Sequence, residues 1–133
     1  MLINVSYNDP KIKSKIKSLV GSPYSFLERL KIGGVGSGNL KIVHCSIKIK
    51  NILDLDNNLN RCNIEIRKNG IIIFFRSLLE TYGLIIPFYK LNIFKVESNV
   101  FSLHIDQYNI KVEVKNKSDF NFFKKIQNLK ISN

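Results

Sequence analysis

Four small groups of residues in this chain could do chemistry. The first is the glycine run Gly33-Gly34-Val35-Gly36-Ser37-Gly38. Glycine-rich backbone can wrap a phosphate, but a phosphate loop follows a strand, opens a helix and ends in Gly-Lys-Ser/Thr. Here a helical pattern precedes the run, a strand pattern follows it, and neither Gly-Lys-Ser/Thr nor Gly-x-Gly-x-x-Gly is present. The run reads as a connector whose backbone can approach another surface closely. The second group, Asp54-Leu55-Asp56-Asn57, opens like a calcium loop but lacks the later glycine and glutamate. It reads as a polar turn extending to Asn60.

The third group is His44 and His104 with Cys45 and Cys62. A zinc site would need both histidines and a cysteine to converge. The histidines fall on polar strand positions and the cysteines on inward ones, so the cysteines read as small buried apolar residues. Two cysteines make no disulfide framework. No nucleophile–base or carboxylate pair is marked by spacing. No catalytic residue, cofactor or metal is therefore assigned, and the chain reads as non-enzymatic. The fourth group is Lys11, Lys13, Lys15 and Lys17, a basic row that could meet an anionic membrane.

Charge bears on that last group. The chain of 133 residues carries a formal net charge of +11. Only four of its 21 basic residues are arginine (Arg29, Arg61, Arg67, Arg76), and the lysines are spread along the whole sequence. That distribution suits a solvated lysine surface. Nucleic acid is disfavoured, because aromatics interleaved with surface arginine are not evident. Length favours one domain with its own core. No apolar run approaches the roughly 20 residues of a membrane helix, and Met1-Leu2-Ile3-Asn4-Val5 lacks the basic start of a signal peptide. The expectation is a cytoplasmic protein, with peripheral attachment to the membrane as the alternative.

The elements that must position these residues are mostly strands. Asn69-Gly70 between apolar runs predicts a hairpin with a type I′ turn, both central residues at positive φ. Before it Cys62, Ile64 and Ile66 alternate with polar residues; after it Ile71 to Phe75 is too apolar for a solvated strand. Further strands are expected at about 81–87, 91–97, 101–105 and 110–114. A first strand is expected over 40–53, with Val43, Cys45, Ile47 and Ile49 inward. Helices are expected over 9–20, over 22–32 with Ser22 as N-cap and Pro23 at N1, and over 119–131 with Ser118 as cap and Phe120, Phe122, Phe123, Ile126 and Leu129 on one side.

Seven strands of even spacing followed by one amphipathic helix, from about Leu40 to Lys130, resemble the pleckstrin-homology-like (PH-like) domain. The stretch Ile86-Pro87-Phe88-Tyr89-Lys90-Leu91-Asn92-Ile93-Phe94 resembles the junction of strands four and five in bacterial PH and GRAM-type domains. The resemblance implies a mainly β, seven-stranded antiparallel barrel or roll over residues 40–131, capped by the C-terminal helix. A helical N-terminal extension with the glycine connector, residues 1–39, precedes it. The basic motif of phosphoinositide-binding PH domains is poorly matched. Lys48, Lys50 and Arg61 occupy the region, but Cys62 and Asn63 follow Arg61, and Asp54 and Asp56 would repel a polyphosphate.

What the resemblance implies is a binding or scaffolding module that recruits a protein partner. The expected contact is Phe88, Tyr89 and Lys90, two aromatics and a lysine beyond a proline that interrupts strand pairing. The alternative is association with anionic membrane through Lys11, Lys13, Lys15 and Lys17.

Overall fold

The computed structural model describes residues 1–56 and 60–132. In chain order its elements are β1 (Leu2–Asn4), α1 (Pro10–Val20), α2 (Phe26–Ile32), β2 (Leu40–Cys45), α3 (Ile47–Asp54), β3 (Arg61–Arg67), β4 (Gly70–Ser77), β5 (Glu80–Pro87), β6 (Asn92–Glu97), β7 (Val100–Ile105), β8 (Tyr108–Glu113) and α4 (Lys117–Ser132). The strands form one antiparallel sheet in the order β1-β5-β4-β3-β2-β8-β7-β6. A β-rich antiparallel architecture with a C-terminal helix is what the pattern called for. Closure into a barrel is not found: β1 and β6 are free edges at opposite ends of the order. The chain leaves β5 through a tight turn in which the N–H groups of Lys90 and Leu91 donate back to the Pro87 carbonyl. It then starts β6 at the far end of the sheet. The polar turn expected over 54–60 includes residues 57–59, which lie outside the described residues.

Strand β2 is the corner of the sheet. It pairs with β3 through only Leu40–Cys62 and Lys41–Arg61, then continues against β8 as far as Cys45–Ile110. A register shift between Ile42 and His44 lets Ile42 and Cys45 both face the core, so Val43 is exposed. The expected alternation placed Val43 inward; the bulge reverses it. Past Cys62, the side of β3 that β2 has left is taken by the glycine connector. Ile66 N–H donates to Val35 O (2.8 Å), Ser37 N–H to Ile64 O (2.9 Å), and Ile64 N–H to Ser37 Oγ (2.8 Å).

The inner face gathers Cys62, Ile64 and Ile66 of β3, Ile71, Ile73 and Phe75 of β4, and the inward residues of β2, β7 and β8 into one core with α3 and α4. From α4 come Phe122, Phe123 and Ile126, with Phe123 stacked on Phe101 at 4.5 Å. A second layer covers the outer face of β4 and β5. Ile16 and Val20 of α1 pack there on Ile72 and Ile85, with β1 alongside. The run Ile71 to Phe75 is therefore apolar because both faces of β4 are covered.

Three boundaries differ from the sequence pattern, each for a local reason. The strand expected over 40–53 stops at Cys45, and Ile47–Asp54 is helical. Ile-Lys-Ile-Lys suits either period, but Ile49 and Leu53, one turn apart, are buried while Ile47 points to solvent. Helix α2 starts at Phe26, with Ser25 and not Ser22 as its cap. Ser25 Oγ accepts the Glu28 N–H and the Glu28 carboxylate accepts the Ser25 N–H, a reciprocal capping box. In α4 Ser118 lies inside the first turn; Asn116 Oδ1 accepts the Asp119 N–H at 2.9 Å.

The β3–β4 hairpin lacks the turn chemistry expected of Asn-Gly. Arg67 pairs with Gly70, so the β3–β4 turn is Lys68-Asn69, and neither residue nor Gly70 has positive φ. Gly70 is glycine for space: a Cβ there would lie 2.4 Å from Ile86 O, 2.6 Å from Val20 Cγ1 and 2.9 Å from Pro87 Cα. Positive φ appears instead at Asp106 (52°) in the β7–β8 turn and, at both central residues, in the β4–β5 turn: Leu78 (51°) and Leu79 (69°). This strained pair is held by the Leu78 N–H on Asp56 Oδ2 (2.9 Å), next to Ser77 Oγ donating to Ile52 O (2.6 Å). The two turns should respond differently to substitution. Gly70→Ala should destabilise by about 1–3 kcal/mol, because two of the three clashes are with backbone. Gly36→Ala, with open space around its Cβ position, should stay within about 0.5 kcal/mol. Replacing Leu78-Leu79 by Asn-Gly should raise stability by about 1 kcal/mol. Urea midpoints of the three variants check these values.

Candidate functional site

Strand β6, six residues against three in β1, is the longer of the two edges that the fold leaves open. It pairs only with β7, and on its other side no strand is present among the described residues. Register alternates its side chains. Ile93 faces Leu103 and the core, and Lys95 reaches over the Phe120 ring of α4 at 5.4 Å. Phe94, opposite Ser102, stands on the outer face. Phe94 and Val96 are both exposed. A register shift between Lys95 and Glu97 twists the end of the strand. A free edge with exposed apolar residues can take up another strand, while an edge lysine and a bulge discourage pairing with a like edge.

Behind Phe94 is a small polar cluster. The Phe94 ring stacks on His104 at 4.9 Å, and His104 Nε2 lies 2.6 Å from Ser102 Oγ. Asn109 faces His104 across the β7–β8 ladder, and its Oδ1 is buried without a hydrogen-bond partner among the described residues. Burial lowers the His104 pKa from its ordinary 6.5, and the Lys111 ammonium lowers it further. Serine beside histidine has the spacing of a nucleophile and its base. Ser102, however, is 0% exposed, so no substrate carbonyl reaches its oxygen in this conformation. In this geometry the contact orients the imidazole under Phe94.

The structure separates the three residues expected at the partner contact. Phe88 is 3% exposed and belongs to the inner core, its N–H bonded to Asn69 O at 2.9 Å. It holds the two turns at this end of the sheet together and presents nothing to a partner. Tyr89 is 78% exposed, and Lys90 is exposed beside it. Both lie in the turn just before β6.

The lysines Lys11, Lys13, Lys15 and Lys17 are all exposed, as expected, while the apolar side of their helix is spent on the sheet. Lys15 and Lys90 meet at a shallow hollow of about 270 Å³ that Met1 and Asp106 also border. There the Met1 amine donates to Ile85 O at 3.1 Å. Burial pulls its pKa down; Asp106 works the other way, and Lys90 and Lys15 add to the fall.

The remaining groups are taken up by the fold. The glycine connector spends its backbone on β3, and its Gly33 and Gly34 carbonyls accept from Lys125 Nζ at 3.2 and 3.0 Å. Burial in that contact lowers the Lys125 pKa. Cys45 and Cys62 are buried free thiols, Cys62 pushed up by burial to about 12. Lys48 and Lys50, read as the end of a strand, stand instead on α3, where Lys50 pairs with Asp54 at 3.0 Å. Among the described residues no three His, Cys, Asp or Glu side chains form a group that could hold a metal ion, and no helix is long and apolar enough to cross a membrane.

Comparison of the chain with protein-family models, curated proteins and solved structures finds no match. The site therefore rests on its own geometry. Sequence reasoning missed the cluster behind Phe94 and, away from β6, the exposure of Phe26, Leu27 and Leu30 on α2. Ser102 and His104 share the outer face because they are two apart on β7, a period-two signal available in Val100–Ile105. The outward setting of α2 had no signal of its own, since Phe26, Leu27 and Leu30 read like any core stripe.

His104 makes a measurable prediction. Its folded pKa lies below its unfolded one, so the folded state disfavours the proton. Stability is then fullest above the ordinary value of 6.5 and falls as the pH drops through it, when the unfolded chain takes up the proton first. The urea midpoint should be lower at pH about 5.5 than at pH about 7.5. His104→Gln, which keeps a hydrogen-bond partner for Ser102, should reduce the difference.

Proposed function

We propose that this chain is a non-enzymatic PH-like module that recruits a protein partner, and that the partner adds an extended segment to β6. The observation that carries the reading is the free edge itself: six residues without a second strand neighbour among the described residues, with Phe94 and Val96 exposed on the strand and Tyr89 exposed just before it. Main-chain bonds to an edge supply affinity, and alternate side chains supply selection. Seven strands, β2 to β8, followed by α4 support the PH-like part, while α3 between β2 and β3 and the open sheet depart from what the resemblance implies. The net charge of +11 favours an acidic partner segment.

A second reading, peripheral association with anionic membrane, is favoured by the exposed row Lys11, Lys13, Lys15 and Lys17. With Ile16 and Val20 committed to Ile72 and Ile85, α1 itself would attach by charge and would not insert.

The strand-addition reading is tested by capture from the native host followed by amide exchange on the complex. Amides of Asn92–Glu97 should gain protection on binding. Tyr89→Ala and Val96→Asp should each weaken capture while shifting stability by no more than about 0.5 kcal/mol, as surface changes do. Undiminished capture by both variants, or protection that appears elsewhere and not on β6, would refute it.

A further inference from the structure

Helix α2 is set the wrong way round for a helix that serves only its own domain. None of its residues is buried. Phe26, Leu27 and Leu30 are 70%, 70% and 64% exposed. At about 100° per residue these three form one stripe, with Arg29 on one flank and Lys31 on the other. The opposite side holds Glu28 and the half-buried Ile32, and Glu28 reaches Lys68 of the β3–β4 turn at 3.5 Å. The helix is firmly built all the same: the Ser25–Glu28 box closes its start, and Gly33 at φ 80° closes its end. So the fold docks α2 by its polar side and turns its apolar stripe, with cationic flanks, to solvent.

Charge decides what covers that stripe. A second copy would bring another +11 against it. From Pro10 to Leu27 the chain has no acidic residue, and Lys17 in the last turn of α1 is exposed at the same end of the sheet, where Gly21 meets Asn69. Another exposed apolar tip, Leu78-Leu79, lies at the far end of β4 beside Asp56 and Glu80. Phe26, Leu27 and Leu30 lie on a helix with no free backbone edge to add main-chain bonds, so for a protein partner they offer only a small apolar area. With a basic surface as the second signal they fit the acyl boundary of a bilayer. We propose that α2 is a membrane anchor: Phe26, Leu27 and Leu30 enter the interfacial layer of an anionic bilayer, and Arg29, Lys31 and Lys17 engage its phosphate groups. This does not rest on strand addition at β6 and stands if that reading fails.

The test uses the full chain with vesicles of phosphatidylcholine alone and with about 30% phosphatidylserine. Co-sedimentation should occur with the anionic vesicles and weaken with salt. Phe26→Ser, Leu27→Ser and Leu30→Ser together should lower partitioning by roughly tenfold or more with the melting temperature held, since none of the three is buried. Leu79→Ser should bind as the parent does. Because the chain contains no tryptophan, the Phe26→Trp variant carries a single reporter, and its emission should shift to the blue on anionic vesicles only. Failure of the parent to bind anionic vesicles at low salt, parental binding by the triple variant, or unshifted emission from Phe26→Trp would each overturn the proposal. So would a parent dimer that the triple variant makes monomeric, since a second copy would then occupy the stripe.

Discussion

The structure depends on how β3 satisfies its backbone once β2 has left it. Two residue pairs join the halves of the sheet, and beyond Cys62 the outer N–H and C=O groups of β3 would face a gap. Unpaired backbone groups in a core cost about as much as a lost hydrogen bond each. Val35 and Ser37 fill the gap, bonding Ile66 and Ile64. That repair explains the glycine run, which the sequence presents as a phosphate loop without its partners. Gly33, Gly34 and Gly38 adopt positive φ, so the connector can turn in, bond β3 and turn out. Lys125 closes it from the side of α4.

The helices divide by the faces they cover. Helices α3 and α4 seal the inner core, and α1 seals the outer face of β4 and β5. Among the described residues this leaves α2 as the one helix with nothing buried. It leaves the outer face of β6, β7 and β8 without a helix, so Phe94 covers His104 and Ser102 there. Both features follow from the corner. The chain must travel from the outer layer, around the Lys68-Asn69 turn, to the gap beside β3. Helix α2 is the stretch that makes this crossing.

Much of this was legible in the residues. The alternation of Cys62, Ile64 and Ile66, the run Ile71 to Phe75 and the phenylalanines of α4 each have one physical solution. Other features depended on distant neighbours. Ile47 and Ile49 suit both a strand and a helix, and the burial of Ile49 and Leu53 decides between them. Asn69-Gly70 carries the letters of a type I′ turn, yet contact with Val20 and Ile86 explains its glycine. The Ser25-x-x-Glu28 box was readable and is the true start of α2. At the edge, Phe88 and Tyr89 are adjacent aromatics with no difference in type; only the turn after Pro87 sends one inward and the other out.

The corner also orders the assembly of the fold in time. The β3–β4, β4–β5, β6–β7 and β7–β8 pairs are hairpins between neighbours in sequence and can close early. Pairing of Lys41 with Glu113 must bring together residues about 70 apart, and that loop-closure entropy is spent before the contact repays it. The two meanders join across β2, and that closure, with the similarly distant pairing of β1 on β5, is where the topology places its long-range cost. Until it occurs, the inner faces of both meanders are open to water, and the lysine-rich charge of the chain is what keeps one molecule's meander from another's.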